Sequence, residues 1–315
     1  LSSLTVAAKN HSIVNGLVSH IEQRNDVDSE VPCVMIIALV EGRYKVSIPF
    51  DEFYQKNPID MATVNMETKA GREEYVNRCA TMAAKLYSLN VPMVITTIQV
   101  DESTDAEAGV PAYVIVASRK AALDIIEETN YGDRPDGDGP RIQEGDFVRA
   151  QITSVARDSI AVVVGGVDTR VPLHALTFEY LVDARTKYKV GQEIMVQVEQ
   201  IIKEKDGHHI VEVNCKQPEL ERAKQMRSAL PIGSIVFGIV SSVAASKKQP
   251  GNINVLAYIK MYDLPVLVNN MPAKFLGSEP PRGSTVRLKV LNYLDNGMIL
   301  CRCIGTQGPM NFPNA

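Results

Sequence analysis

The chain has 315 residues, 45% of them apolar, with five cysteines and a formal net charge of −4. No apolar run reaches the roughly 20 residues a membrane helix needs and no leader peptide is visible, which predicts a soluble cytoplasmic protein without a membrane partner. Five cysteines without a CxxC pair argue against a disulfide framework or a structural zinc site, and the length suits two or three domains.

The charge is segregated. Residues 1–140 hold 12 Lys/Arg against 21 Asp/Glu, residues 141–222 hold 11 against 13, and residues 223–315 hold 10 against 3, giving nets of −9, −2 and +7. Asymmetry of this size predicts different partners for different parts of one chain, and only the last part suits a polyanion.

In chain order, Ile13, Leu17 and Ile21 recur at helical spacing and predict a helical extension over residues 1–30. Residues 31–130 predict a stretched β unit. VMIIALVEGRYKVSIPF supplies two or three strands, NVPMVITTIQVDE and YVIVASRK the last two, and between them Tyr75, Cys79, Met82, Ala83 and Leu86 share one helical face. NYGDRPDGDGP lies in an acidic linker, residues 131–143.

Residues 144–217 predict five strands. Phe147, Val148, Ala150, Ile152 and Val155 belong to the first, and DSIAVVVGGVDTRVPL forms two more, turning at Gly165-Gly166. After the helical or irregular HALTFEYLVDARTKY come VGQEIMVQVEQII and IVEVNCK. Five short strands with a break between the third and fourth predict a small Greek-key barrel of the oligonucleotide-binding type. A basic linker helix over residues 218–231 leads to residues 232–305, which repeat the same parts (IVFGIVSSV, INVLAYIKM, LPVLVNN, STVRLKVLNYL, MILCRCI), with residues 306–315 as a tail. GDFVRAQITSV from Gly145 and GSIVFGIVSSV from Gly233 are one line written twice. Arg149 in the first copy stands where the second has Phe237.

The glycine-punctuated opening strand, followed by Val190, Gly191, Val196 and Val198 in one copy and Arg282, Gly283, Val286, Leu288 and Val290 in the next, resembles the S1 RNA-binding domain, the repeat of ribosomal protein S1. In the first unit Ser118-Arg119-Lys120 after YVIVA, with Val46, Ile48, Pro49 and Phe53, matches the same family. A diverged copy followed by two further ones is similar to S1-like proteins of plasmids, phages and other mobile elements of Gram-positive bacteria. The resemblance implies a mainly β chain of three consecutive OB-type five-stranded Greek-key barrels, the first diverged with an inserted helix.

It also implies single-stranded nucleic acid as the partner, RNA before DNA, held by aromatics on the second strand and a His near the end of the third. In the middle copy the matching positions are Asp158, Ala161 and Pro172, so no stacking group is left, and Arg149, Arg157, Arg170 and His174 remain for phosphate. In the third copy, alternation turns Ile253, Val255, Ala257 and Ile259 inward and leaves Asn254, Leu256, Tyr258 and Lys260 facing out. Tyr258, Lys260 and Phe237 then form the stack-and-phosphate set that single-strand binding needs. Lys247, Lys248, Arg287 and Lys289, with Lys274, Arg282 and Arg302, lie around it. The acidic N-terminal segment is expected to dock a protein partner. The alternative is a scaffold that keeps the barrels and binds only proteins.

Catalysis is not expected, because nothing places a base beside a nucleophile, and no cofactor or metal is called for. His208-His209 falls in a predicted exposed turn. Asp133, Asp136 and Asp138 lack the closing Glu of a calcium loop. Cys301 and Cys303 are expected to pack on one face of a strand.

Overall fold

The computed structural model describes residues 1–24, 33–100, 113–134, 137–247, 249–273 and 279–307. Asp136, Lys248 and Lys274 lie outside the described residues. Three five-stranded β units follow one another along the chain.

The first unit opens with helix α1 (Ser2–Lys9), then strands β1 (Ile13–Arg24), β2 (Cys33–Val40) and β3 (Tyr44–Pro49). Helix α2 (Lys69–Ala83) precedes β4 (Asn90–Val100) and β5 (Tyr113–Ser118), and the strands close in the order β1-β2-β3-β5-β4. Cys79, Ala83 and Leu86 enter the core beside Ile36, Val46, Ile48 and Met93, with Tyr75 and Met82 packed at its margin, as the helical spacing predicts.

The predicted N-terminal helical stripe is corrected. Ile13, Leu17 and Ile21 lie on β1, and Gly16 and Val18 are the buried positions between them. A Cβ on Gly16 would come within 2.7 Å of the Met93 methyl, so an inward strand position is left without a side chain and the alternation is hidden. Helix α3 (Arg119–Tyr131), capped by the Ser118 hydroxyl accepting from the Ala121 N–H at 2.9 Å, follows β5 directly where the sequence pattern predicts no helix.

The middle unit holds β6 (Phe147–Val155), β7 (Ser159–Val164), β8 (Val167–Pro172), the single-turn helix α4 (Leu173–Leu176), β9 (Glu193–Lys203) and β10 (His209–Asn214), in the order β10-β9-β6-β7-β8. Across the remaining seam the Thr169 hydroxyl donates to the Val211 carbonyl at 2.8 Å. Helix α5 (Gln217–Gln225) leads to the third unit, β11 (Ile235–Ala245), β12 (Asn252–Ile259), β13 (Leu264–Pro272), β14 (Thr285–Tyr293) and β15 (Ile299–Gln307), closed as β11-β12-β13-β15-β14. Cys301 and Cys303 are both buried in its core.

The repeat read from the sequence is structural. Gly145 donates to the Val198 carbonyl at 2.8 Å and Gly233 to the Val290 carbonyl at 2.9 Å, each at a positive φ of 94° and 93°. The two units are thereby in register residue for residue, so Arg149 and Phe237 occupy one position.

Helix α3 docks the first unit on the middle one. The Tyr131 hydroxyl donates to the Val164 carbonyl at 2.9 Å, and the buried Glu127 accepts from the His209 backbone N–H at 2.6 Å and contacts its Nδ1 at 2.9 Å. His209 is therefore enclosed at the start of β10 and not in the exposed turn predicted for it. Its backbone N–H and ring Nδ1 are both matched by a carboxylate brought in from the other unit.

Candidate nucleic-acid interface

The third unit carries an exposed aromatic among cations, whereas Phe147, exposed on β6 of the middle unit, faces Gln197. Phe237 is 51% exposed on β11 and faces Arg287 across the ladder to β14, while Ile235, also exposed, faces Lys289. Arg287 and Lys289 are exposed, and Lys289 faces Arg302 on β15, itself exposed. Among the described residues no carboxylate lies within 4.0 Å of Arg287, Lys289 or Arg302. Three cations and an aromatic ring thus share the outer face of three adjacent strands, which lie about 5 Å apart.

Tyr258 is corrected. It does point out of its own barrel, but it is only 1% exposed, because the middle unit and α5 close over it. Its hydroxyl donates to Asp263 Oδ1 at 2.6 Å and lies 3.5 Å from Glu219 Oε1, and Lys187 Nζ sits 5.4 Å above its ring. Burial is the first cause that raises the Tyr258 phenol pKa, and burial likewise raises that of Glu219. Glu219 is held by the Phe178 N–H at 2.9 Å and the Thr177 hydroxyl at 2.5 Å. Strand alternation specifies which residues leave a barrel; it says nothing about a neighbouring barrel that covers them.

Phe237 and Tyr258 do not form one platform. Tyr258 pairs with Ile239, and Phe237 lies two residues earlier on the stretch of β11 that pairs with β14. Lys260 is exposed, with Nζ 3.9 Å from Glu179 Oε1, so it belongs to the junction between units. Lys247 is exposed at the end of β11.

In the middle unit the four predicted residues separate into two places. Arg149 lines a crevice of about 200 Å³ with Arg119, Gln151 and Glu193, whose carboxylate is 3.8 Å away. Arg157, Arg170 and His174 are exposed around β7 and β8; Arg170 donates to the Ser159 hydroxyl at 2.8 Å and lies 3.7 Å from Asp158. Ala161 faces Arg170, and Ser159 faces Pro172, so the β7–β8 ladder itself offers no aromatic ring for stacking.

Asp124, Glu127 and His208 bring ligand atoms within 4.8 Å of one another. The Gln55 amide already donates to Asp124 at 3.3 Å and to Glu127 at 3.0 Å, which accounts for these carboxylates without an ion. Among the described residues no helix is long and apolar enough to cross a membrane.

Among solved structures, the chain resembles part of an a/eIF2alpha-aDim2p-rRNA complex from Pyrococcus horikoshii OT3, at 16% identity and a TM-score of 0.22, over 27% of this chain and 56% of that one. A multidomain protein with nucleic acid binding domains from Streptococcus pneumoniae matches at 11% identity and a TM-score of 0.22, over 92% of this chain and 72% of that one. The CSD456 segment of Drosophila Unr matches at 11% and 0.18, over 94% and 96%. Likenesses this distant carry no functional argument. No curated protein sequence matches the chain. The family comparison is specific to one unit: residues 141–209, the stretch from the lead-in to β6 up to the start of β10, match the S1 RNA binding domain.

Proposed function

We propose that the chain binds single-stranded nucleic acid, RNA in preference to DNA, mainly through its third unit, while the acidic first unit docks a protein partner. The observation that carries the reading is the segregation of charge: the +7 part of the chain folds into the unit whose exposed ring, Phe237, is flanked by cations without carboxylate partners. Phosphate supplies the bulk of affinity for such a surface, and ring stacking tolerates any base. The S1 match of the middle unit supports the same class of partner. Among the third unit's candidate residues, Arg287 and Lys289 serve phosphate, and Tyr258 serves the fold.

The scaffold alternative draws on one observation, the burial of Tyr258 between units. The test is binding of the full chain to a labelled 20-base single strand, as RNA and as DNA, at about 50 and 200 mM salt. Binding to RNA that weakens at least tenfold over that range supports the proposal. A chain that ignores both strands at the lower salt is a scaffold.

A further inference from the structure

The three units present the same strand face in three different states. Taking the backbone registers position by position, Asn15, Pro92 and Val94 of the first unit correspond to Arg149, Met195 and Gln197 of the middle unit and to Phe237, Arg287 and Lys289 of the third. In the first unit Val94 is buried, and α3 packs across β4. In the middle unit the face is neutralised, with Arg149 beside Glu193. In the third unit it is exposed and carries only positive charge.

We infer that the single-strand site of this chain is the outer face of β11, β14 and β15, with Phe237 as the stacking ring and Arg287, Lys289 and Arg302 as the phosphate contacts. The site does not include the β12 face that holds Tyr258. The inference rests on the function proposed above and assigns it a surface. Three features of this face select the occupant. The cations are unpaired with any described carboxylate, which is a cost in self-repulsion that a polyanion removes. They are interleaved with exposed Ile235, Phe237 and Leu291, so the surface is apolar between its charges, as a ligand with bases and phosphates requires. Residues alternating along one strand face are about 6.7 Å apart, so Arg287 and Lys289 meet successive points of an extended backbone. A folded acidic protein has no comparable series of flat rings to place on Phe237.

The test uses the full chain and a labelled 20-nucleotide single-stranded RNA of mixed sequence, titrated from about 50 to 200 mM salt. Phe237→Ala is expected to weaken binding about 5- to 150-fold with the salt dependence unchanged, because it removes stacking alone. Arg287→Gln, Lys289→Gln and Arg302→Gln are each expected to lower the slope of log affinity against log salt by about 0.7. All four side chains are exposed, and unchanged melting curves show that the variants are folded. If the parent binds but all four variants bind within twofold of it, the surface is wrong and the proposed function stands. A loss on Lys247→Gln in the same experiment then moves the site to the β11–β12 end. If the parent does not bind the strand at the lower salt, both fall.

Discussion

The Arg119 guanidinium donates to the Phe53 carbonyl at 2.7 Å and lies 4.7 Å over the ring of that same residue. Its other edge reaches Asp168 of the middle unit at 3.6 Å, and the side chain is almost wholly buried. One cation therefore ties the turn that follows β3, the start of α3 and the β7–β8 hairpin together. Truncation leaves Asp168 and a carbonyl short of a donor, so Arg119→Ala is expected to cost about 3–5 kcal/mol in urea unfolding. Arg119→Met, which keeps a stem against Phe53, is expected to cost less. Both variants melting within about 1 kcal/mol of the parent would show that the residue is a bystander.

Gly166 marks how closely α3 approaches that hairpin. Its φ is 101°, and a Cβ there would stand 2.5 Å from the Glu127 amide nitrogen and 2.7 Å from the Leu123 carbonyl oxygen. Gly207, at φ 96°, has nothing within 4 Å of the same construction. Gly207→Ala thus measures backbone strain alone, about 1–2 kcal/mol, and Gly166→Ala adds the displacement of a helix backbone. The second variant is expected to be the less stable by at least ~1 kcal/mol; equal melting temperatures would mean that α3 is not fixed against the hairpin.

The strands of the middle and third units were legible because their apolar residues alternate and glycines mark their turns, as at Gly165-Gly166 and Asn296-Gly297. β1 was not, because its inward position at Gly16 has no side chain and Leu17 faces out. Of the proposed binding residues, Phe237, Arg287 and Lys289 were legible as exposed positions. The burial of Tyr258 was not, since it depends on Lys187 of the middle unit and Glu219 of α5, far away in sequence. Nor was the grouping of Arg302 with Phe237, which needs the ladder between β14 and β15.

Tyr258 separates the structural and binding roles experimentally. Removing its hydroxyl deletes the 2.6 Å bond to Asp263, whose half-exposed carboxylate keeps Arg222 at 2.6 Å and access to water. Tyr258→Phe is expected to destabilise by about 1 kcal/mol and Tyr258→Ala by about 3–5 kcal/mol. Neither the Phe variant's affinity for single-stranded RNA nor its salt slope is expected to change by more than twofold, measured well below its melting temperature. A selective loss of affinity in this variant would restore the residue to the binding face.

Glu219 is expected to make the junction between the middle and third units sensitive to pH. Burial raises its pKa above the ordinary 4.5, against the opposing effect of the Phe178 N–H, the Thr177 hydroxyl and the more distant Lys187; Asp263 adds to the rise. A carboxyl whose pKa is higher folded than unfolded favours folding most below the unfolded value, and that contribution is lost as pH rises through the folded one. Glu219→Gln cannot ionise, so it lacks this loss, whatever constant offset its altered hydrogen bonds bring. The melting temperature of the parent is therefore expected to fall relative to that of Glu219→Gln as pH rises from about 4.5 toward 8, with the difference flat below that range. Nearby Tyr258 stays protonated throughout, since its own pKa is raised, and cancels in the comparison. Two curves that run parallel from pH 4 to 8 would show that the carboxylate is as well solvated by its donors as by water, and that the junction carries no ionisation penalty.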